Sequence, residues 1–136
     1  MDKLVYRLLK PEIFYPSNGR VIVPYRAKNF GTNVKFEEIY FSEILPNSIK
    51  GFKRHKKLFT RLFPISGSCT IGISKKLSVT EFKKIRLSTS KPELLEIAPM
   101  HWFFMKNLSK QTCILMNAIE STSDDVENAD IEGLNL

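Results

Sequence analysis

The chain is short of the residues on which most site chemistry depends. It has two cysteines and two histidines in 136 residues. Cys69 and Cys113 make no disulfide framework, and neither sits at metal-ligand spacing, so free thiols in a reducing cytosol are expected. A zinc or iron centre needs three or four converging His, Cys, Asp or Glu ligands; with only two histidines, 46 residues apart, metal catalysis is not expected. There is no G-x-G-x-x-G, no G-x-x-x-x-G-K-[ST] and no G-x-S-x-G, which removes the dinucleotide fingerprint, the P-loop and the nucleophile elbow. A Cys–His nucleophile pair stays open through Cys69, although the alternation in "GSCTIGI" marks that residue for a core. No apolar run approaches the roughly 20 residues of a membrane helix. The opening "MDKLVYRLLKPEIFYP" has neither a long uncharged core nor a small-residue cleavage site, so no signal peptide is expected.

Helical patterning is missing too. No window sustains an i, i+3, i+4, i+7 apolar stripe behind a capping residue. What is present is a series of short runs rich in Ile, Val, Phe and Tyr: "GRVIVPY", "KFEEIYFSEI", "KLFTRLFPI", "CTIGIS", "FKKIRLS", "LLEIAP", "HWFFMKN" and "TCILMNAI". Between them lie "PSNG", "NFGTN", "LPNS", "SGS" and "STSKPE", whose Gly, Pro, Asn and Ser turn the backbone. About eight strands at this spacing predict an all-β sandwich, jelly roll or small barrel. The length fits one domain over residues 1–136, with no linker and no internal repeat.

Acids are scarce in the body of the chain. Residues 120–136, "ESTSDDVENADIEGLNL", hold six acids and no Lys or Arg, leaving 21 cations against eight acids in the rest. A basic body points to polyanionic partners: nucleic acid, an anionic membrane surface or phosphate-bearing small molecules. The acidic segment reads equally as a solubilising end or as a strap across that positive field.

The densest charge surrounds one histidine. In "IKGFKRHKKLF", His55 stands among Lys50, Lys53, Arg54, Lys56 and Lys57. If residues 52–62 form one extended strand, Lys53, His55, Lys57, Phe59 and Arg61 share a face, cationic at three successive positions. Neighbouring ammonium groups disfavour protonation of the imidazole, and a neutral imidazole near pH 7 is a usable general base. The bland alternative is a solvated basic loop that happens to contain a histidine.

From Gly31 onward, three stretches carry a family likeness: "EEIYFSEILPNSIKGFKRHKK", "LLEIAPMHWFFMKNLS" and "ILMNAIESTSDDVENADI". The chain resembles the cupin sugar-nucleotide epimerases and ketoisomerases, relatives of dTDP-4-dehydrorhamnose 3,5-epimerase and of the dTDP-4-keto-6-deoxyglucose 3,4-ketoisomerases. The resemblance implies a cupin-type jelly-roll β-barrel, cytoplasmic, usually a homodimer, working without metal or other cofactor. Residues 1–30 are N-terminal strands able to serve that dimer. At the first cupin metal motif, H-x-H reads Lys53-Arg54-His55, and at the second the histidine position falls on Phe103, followed by the expected Asn107.

The resemblance also implies roles. His55 matches the second histidine of the ketoisomerases' H-A-H motif, a proton shuttle, and Tyr40 matches a tyrosine in their pocket. Lys53 replaces the first histidine and, with its cationic neighbours, is a base of lowered pKa. Substrate binding falls to Lys50, Arg54, Lys57, Arg61, His101 and Glu38. The 3,5-epimerases' tyrosine acid falls near Met116, so that group is absent. The expected activity is a metal-independent isomerase or epimerase of a nucleotide-linked 4-keto-deoxy sugar, dTDP-linked, in surface-polysaccharide biosynthesis. Neither a membrane nor nucleic acid is an expected partner. Two alternatives rank below it: a non-catalytic cupin that binds a sugar nucleotide or glycan, and then a nucleic-acid-binding barrel.

Overall fold

Strand alternation sets the architecture. In "SCTIGIS", Cys69, Ile71 and Ile73 point one way and are almost fully buried, which is the period-two pattern of a sheet with one face in a core. The computed structural model describes residues 3–29, 34–77, 81–122 and 125–130, and among these there is no α-helix. The strands are β1 (Tyr6–Leu9), β2 (Glu12–Phe14), β3 (Val21–Val23), β4 (Glu38–Ile44), β5 (Ile49–His55) and β6 (Thr60–Ser66). They continue with β7 (Ser68–Ser74), β8 (Lys83–Ser88), β9 (Leu94–Ile97), β10 (Trp102–Lys106), β11 (Cys113–Ile119) and β12 (Val126–Asn128).

Two five-stranded antiparallel sheets face each other, one in the order β1-β9-β6-β11-β4 and the other β12-β5-β10-β7-β8, while β2 and β3 form a separate hairpin. Successive strands repeatedly switch sheets, the signature of the all-β jelly roll that the sequence predicted. The core between the sheets is apolar. Leu62, Leu95, Ile97 and Leu115 of the first sheet meet Ile71, Ile73, Leu87 and Phe103 of the second. Cys69 and Cys113 are buried in this core as free thiols. Asn107 ties the end of β10 to β4, its side-chain amide donating to the Ile44 carbonyl at 2.8 Å.

A second apolar cluster lies on the outer side of the second sheet, where Phe82 stacks on Phe52 and both meet the edge of Phe104. Gly72 makes room for it. A Cβ there would stand 2.0 Å from Phe104 Cε1.

Two expectations are corrected. Residues 52–62 are not one strand: β5 stops at His55, residues 56–58 bend, and β6 starts at Thr60 in the other sheet. The bend is closed from outside, because the Lys57 and Leu58 amides donate to the Asp125 carboxylate rather than to a neighbouring strand. The short strand β12 was not anticipated, since a run of three residues gives little periodicity to read. Of the two readings of the acidic segment, the strap is the one built. β12 pairs antiparallel with β5, setting Val126 opposite His55 and Glu127 opposite Arg54. Residues 131–136 lie outside the described residues.

Candidate active site

The site forms where the two sheets part at one end. From β5, Lys53 and His55 point inward on the same side, the register placing Lys53 opposite the core residue Phe103. From β4 in the facing sheet come Glu38 and Tyr40. All four line a cleft of about 370 Å³, walled by Leu58, Ile119 and Val126 and fringed by Ser121 and Thr122.

His55 is buried, 6% exposed. Its Nδ1 stands 3.7 Å from Asp125 Oδ2 and has no hydrogen-bond partner among the described residues. Burial lowers the imidazole pKa, and the Lys53 charge lowers it further; the Asp125 carboxylate opposes both. At 3.7 Å that opposition is electrostatic rather than a formed hydrogen bond. The net shift is downward, which keeps the ring neutral and free to accept a proton.

Lys53 is held below its ordinary pKa by burial and by the nearby Lys50 charge. Among the described residues no carboxylate pairs with it. Tyr40 is pushed the other way, its phenol kept protonated by burial and by the Glu38 carboxylate. The cleft therefore presents a proton acceptor on one sheet and a hydrogen-bond donor on the other, with a primary amine beside the acceptor.

Not every residue singled out in the sequence reaches this cleft. Arg54 points to the opposite face of β5, its guanidinium 4.5 Å from the Trp102 ring centroid and paired with Glu127. Lys50 and Lys57 are exposed beside the cleft rather than among the residues lining it. Arg61 is 4% exposed and bound by Glu96 at 3.0 Å and Glu120 at 2.6 Å, on the far side of the first sheet. It had been expected in line with His55; the bend at 56–58 carries it away. His101 is likewise taken up by the backbone: Nδ1 lies 3.0–3.1 Å from the Pro99 and Ala98 carbonyls, and Nε2 accepts the Val5 amide at 3.0 Å. It lies just before β10.

Asp125 was missed. Nothing local separates it from its acidic neighbours, and only the pairing of β12 with β5 carries it under His55. Among the described residues no three His, Cys, Asp or Glu side chains converge as a metal site.

The sequence model of the family described as "FdtA: WxcM-like, C-terminal" matches residues 14–129. The chain belongs to this FdtA-like family. No curated protein matches it by sequence. Among solved structures the FdtA-like chain is similar to a dTDP sugar isomerase from Desulfovibrio desulfuricans G20, with 24% identity, a TM-score of 0.76, and 94% of this chain and 85% of that one covered. It is also similar to WlaRA, a TDP-fucose-3,4-ketoisomerase from Campylobacter jejuni, with 26% identity and a TM-score of 0.71 over 90% and 87% of the two chains. ChmJ, a 3'-monoepimerase from Streptomyces bikiniensis in complex with dTDP-quinovose, shares the fold with a TM-score of 0.79 at 10% identity, covering 92% and 69%.

Proposed function

We propose that this chain is an isomerase or epimerase of a nucleotide-linked 4-keto-deoxy sugar, dTDP-linked, acting without metal by proton abstraction beside the ketone. One observation carries the reading: a neutral imidazole and a protonated phenol from facing sheets line a single cleft. A C4 ketone acidifies the protons on its neighbouring carbons. His55 Nε2 removes one of them, and the Tyr40 hydroxyl donates a hydrogen bond to the oxygen that gains charge. With Arg54 and Arg61 engaged by carboxylates, Lys50 and Lys57 are the cations that meet the diphosphate. Membership of the FdtA-like family and the ketoisomerase and epimerase names of its structural neighbours support the substrate class.

The protein works in the cytoplasm, in surface-polysaccharide sugar synthesis, as a homodimer. Exposed apolar side chains on the edge strand, Ile39 and Phe41, with Leu45 just beyond, support a second copy docking there. Sedimentation should give a dimer mass for wild type and a monomer mass for Phe41→Glu.

The deciding experiment is wash-in of solvent label. With a dTDP-4-keto-6-deoxyhexose in deuterated buffer, wild type should place deuterium at C3 or C5, and His55→Ala should be slower by about 10²–10⁴-fold. Equal rates would sink the catalytic reading. They would leave a non-catalytic binder, the alternative favoured by the lysine standing where an H-x-H motif has its first histidine, and recognised by thermal stabilisation with dTDP alone.

A further inference from the structure

We propose that Lys53 condenses with the C4 ketone of the sugar, so that His55 removes its proton from an iminium ion rather than from the free ketone, and that this commits the chain to epimerisation. The inference rests on the functional reading above and specifies the covalent chemistry of the same site.

Geometry is the first ground. Lys53 and His55 are two positions apart on β5, on one face, about 6–7 Å along the strand, and both line the cleft. A sugar ring carbon held near the imidazole is therefore within reach of the amine. The second ground is the absence of a competing partner. The other cations of this row that turn away from the cleft are spoken for, Arg54 and Lys56 by Glu127, while no carboxylate pairs with Lys53 among the described residues. An amine that is half-buried beside another cation favours its neutral, nucleophilic form. A lysine placed only to clamp phosphate would sit better exposed and fully charged.

The steps balance without any further reagent. The Lys53 lone pair attacks C4, forming the C–N bond as the carbonyl π pair moves to oxygen, which accepts the Tyr40 hydrogen bond and takes the proton that nitrogen sheds. Protonated at its hydroxyl by the Tyr40 phenol, the carbinolamine loses water as the nitrogen pair forms C=N, and the iminium is a stronger electron sink than the ketone. His55 Nε2 takes the adjacent C–H proton; that bond's pair becomes C=C and the iminium π pair returns to nitrogen. A solvent proton delivered to the same carbon from its other face restores the iminium, and His55 returns the proton it took to solvent. Water then adds to C4 and expels the amine, giving the epimerised ketone.

Ketone migration cannot share this route. Proton delivery to C4 of the 3-hydroxy enamine would leave a C3 ketone and a C4–N single bond to Lys53, an amine that water does not cleave. Turnover through the iminium therefore inverts a carbon next to C4 and leaves the ketone where it was.

The test uses wild type with dTDP-4-keto-6-deoxyglucose carrying ¹⁸O at C4, together with Lys53→Arg, which keeps the charge but forms no imine. Wild type should lose the ¹⁸O label in step with deuterium wash-in, because the oxygen leaves as water. Cyanoborohydride should attach one reduced sugar nucleotide to the peptide containing Lys53, and the recovered product should be an epimer of the 4-keto sugar. Lys53→Arg should exchange deuterium on the order of a hundredfold more slowly. Deuterium wash-in with the ¹⁸O retained, or Lys53→Arg exchanging within about threefold of wild type, overturns the imine while leaving the functional reading intact. Wild type that exchanges no deuterium overturns both.

Discussion

Asp125 Oδ2 lies 3.7 Å from His55 Nδ1, near enough to be felt and too far to hydrogen-bond, while the same carboxylate accepts the Lys57 and Leu58 amides. One buried acid from the C-terminal strap thus both closes the bend after β5 and opposes the lowering of the imidazole pKa. Burial and Lys53 outweigh it. The folded-state pKa of His55 lies below its unfolded value, so between the two the unfolded chain binds more protons. Stability therefore rises with pH across that window and is lost as pH falls below the ordinary histidine range. NMR titration of the His55 ring should give a midpoint below that of a model imidazole, and the acid limb of kcat/KM should coincide with it.

Replacing Asp125 by Asn removes the opposing charge. The His55 midpoint and the acid limb should move to lower pH, not higher. Poorer acceptance of the two backbone amides should lower stability by about 1–3 kcal/mol, read from denaturant midpoints. An unchanged midpoint in this variant would show that Asp125 does not act on the ring.

Tyr40→Phe deletes one hydroxyl at the cleft wall. If that hydroxyl donates to the developing oxyanion, deuterium wash-in should slow by about 10²–10³-fold. No hydrogen bond of the Tyr40 hydroxyl within the described residues is lost, so stability should stay within about 0.5 kcal/mol. A slowed variant that is also destabilised would instead mark a structural role.

Arg61 is the cation that the sequence points to substrate and the fold gives to Glu96 and Glu120. Removing one partner of a buried ion pair strands the other charge. Arg61→Ala should destabilise by about 3–5 kcal/mol. Any of the variant that remains folded should bind dTDP with the affinity of wild type. Loss of dTDP affinity at unchanged melting temperature would restore the substrate role.

Gly72→Ala tests the outer aromatic cluster. The added methyl meets Phe104 at 2.0 Å, and Phe104 has little freedom to retreat because Phe52 and Phe82 pack against it. Overpacking should cost about 1–3 kcal/mol in thermal or denaturant unfolding. A neutral outcome would mean that this cluster opens readily.

Strand alternation is a local property, and it was legible. The inward set of β7, the turns between runs, and the shared face of Lys53 and His55 all follow from residues a few positions apart. The ends of strands were less so. "KRHKKLFTRLF" reads as one ribbon, because what stops β5 at His55 is a carboxylate 70 positions further on. Which cations face a ligand was not legible either. Arg54, Arg61 and His101 have the right chemistry, but Glu127, Glu96 with Glu120, and the Val5 amide reach them from distant parts of the chain. The amino-acid order alone determined an all-β chain with one imidazole amid ammonium groups. Only the long-range pairing of a jelly roll decided which of those groups surround the cleft, because such pairing joins residues whose spacing along the chain carries no local signal.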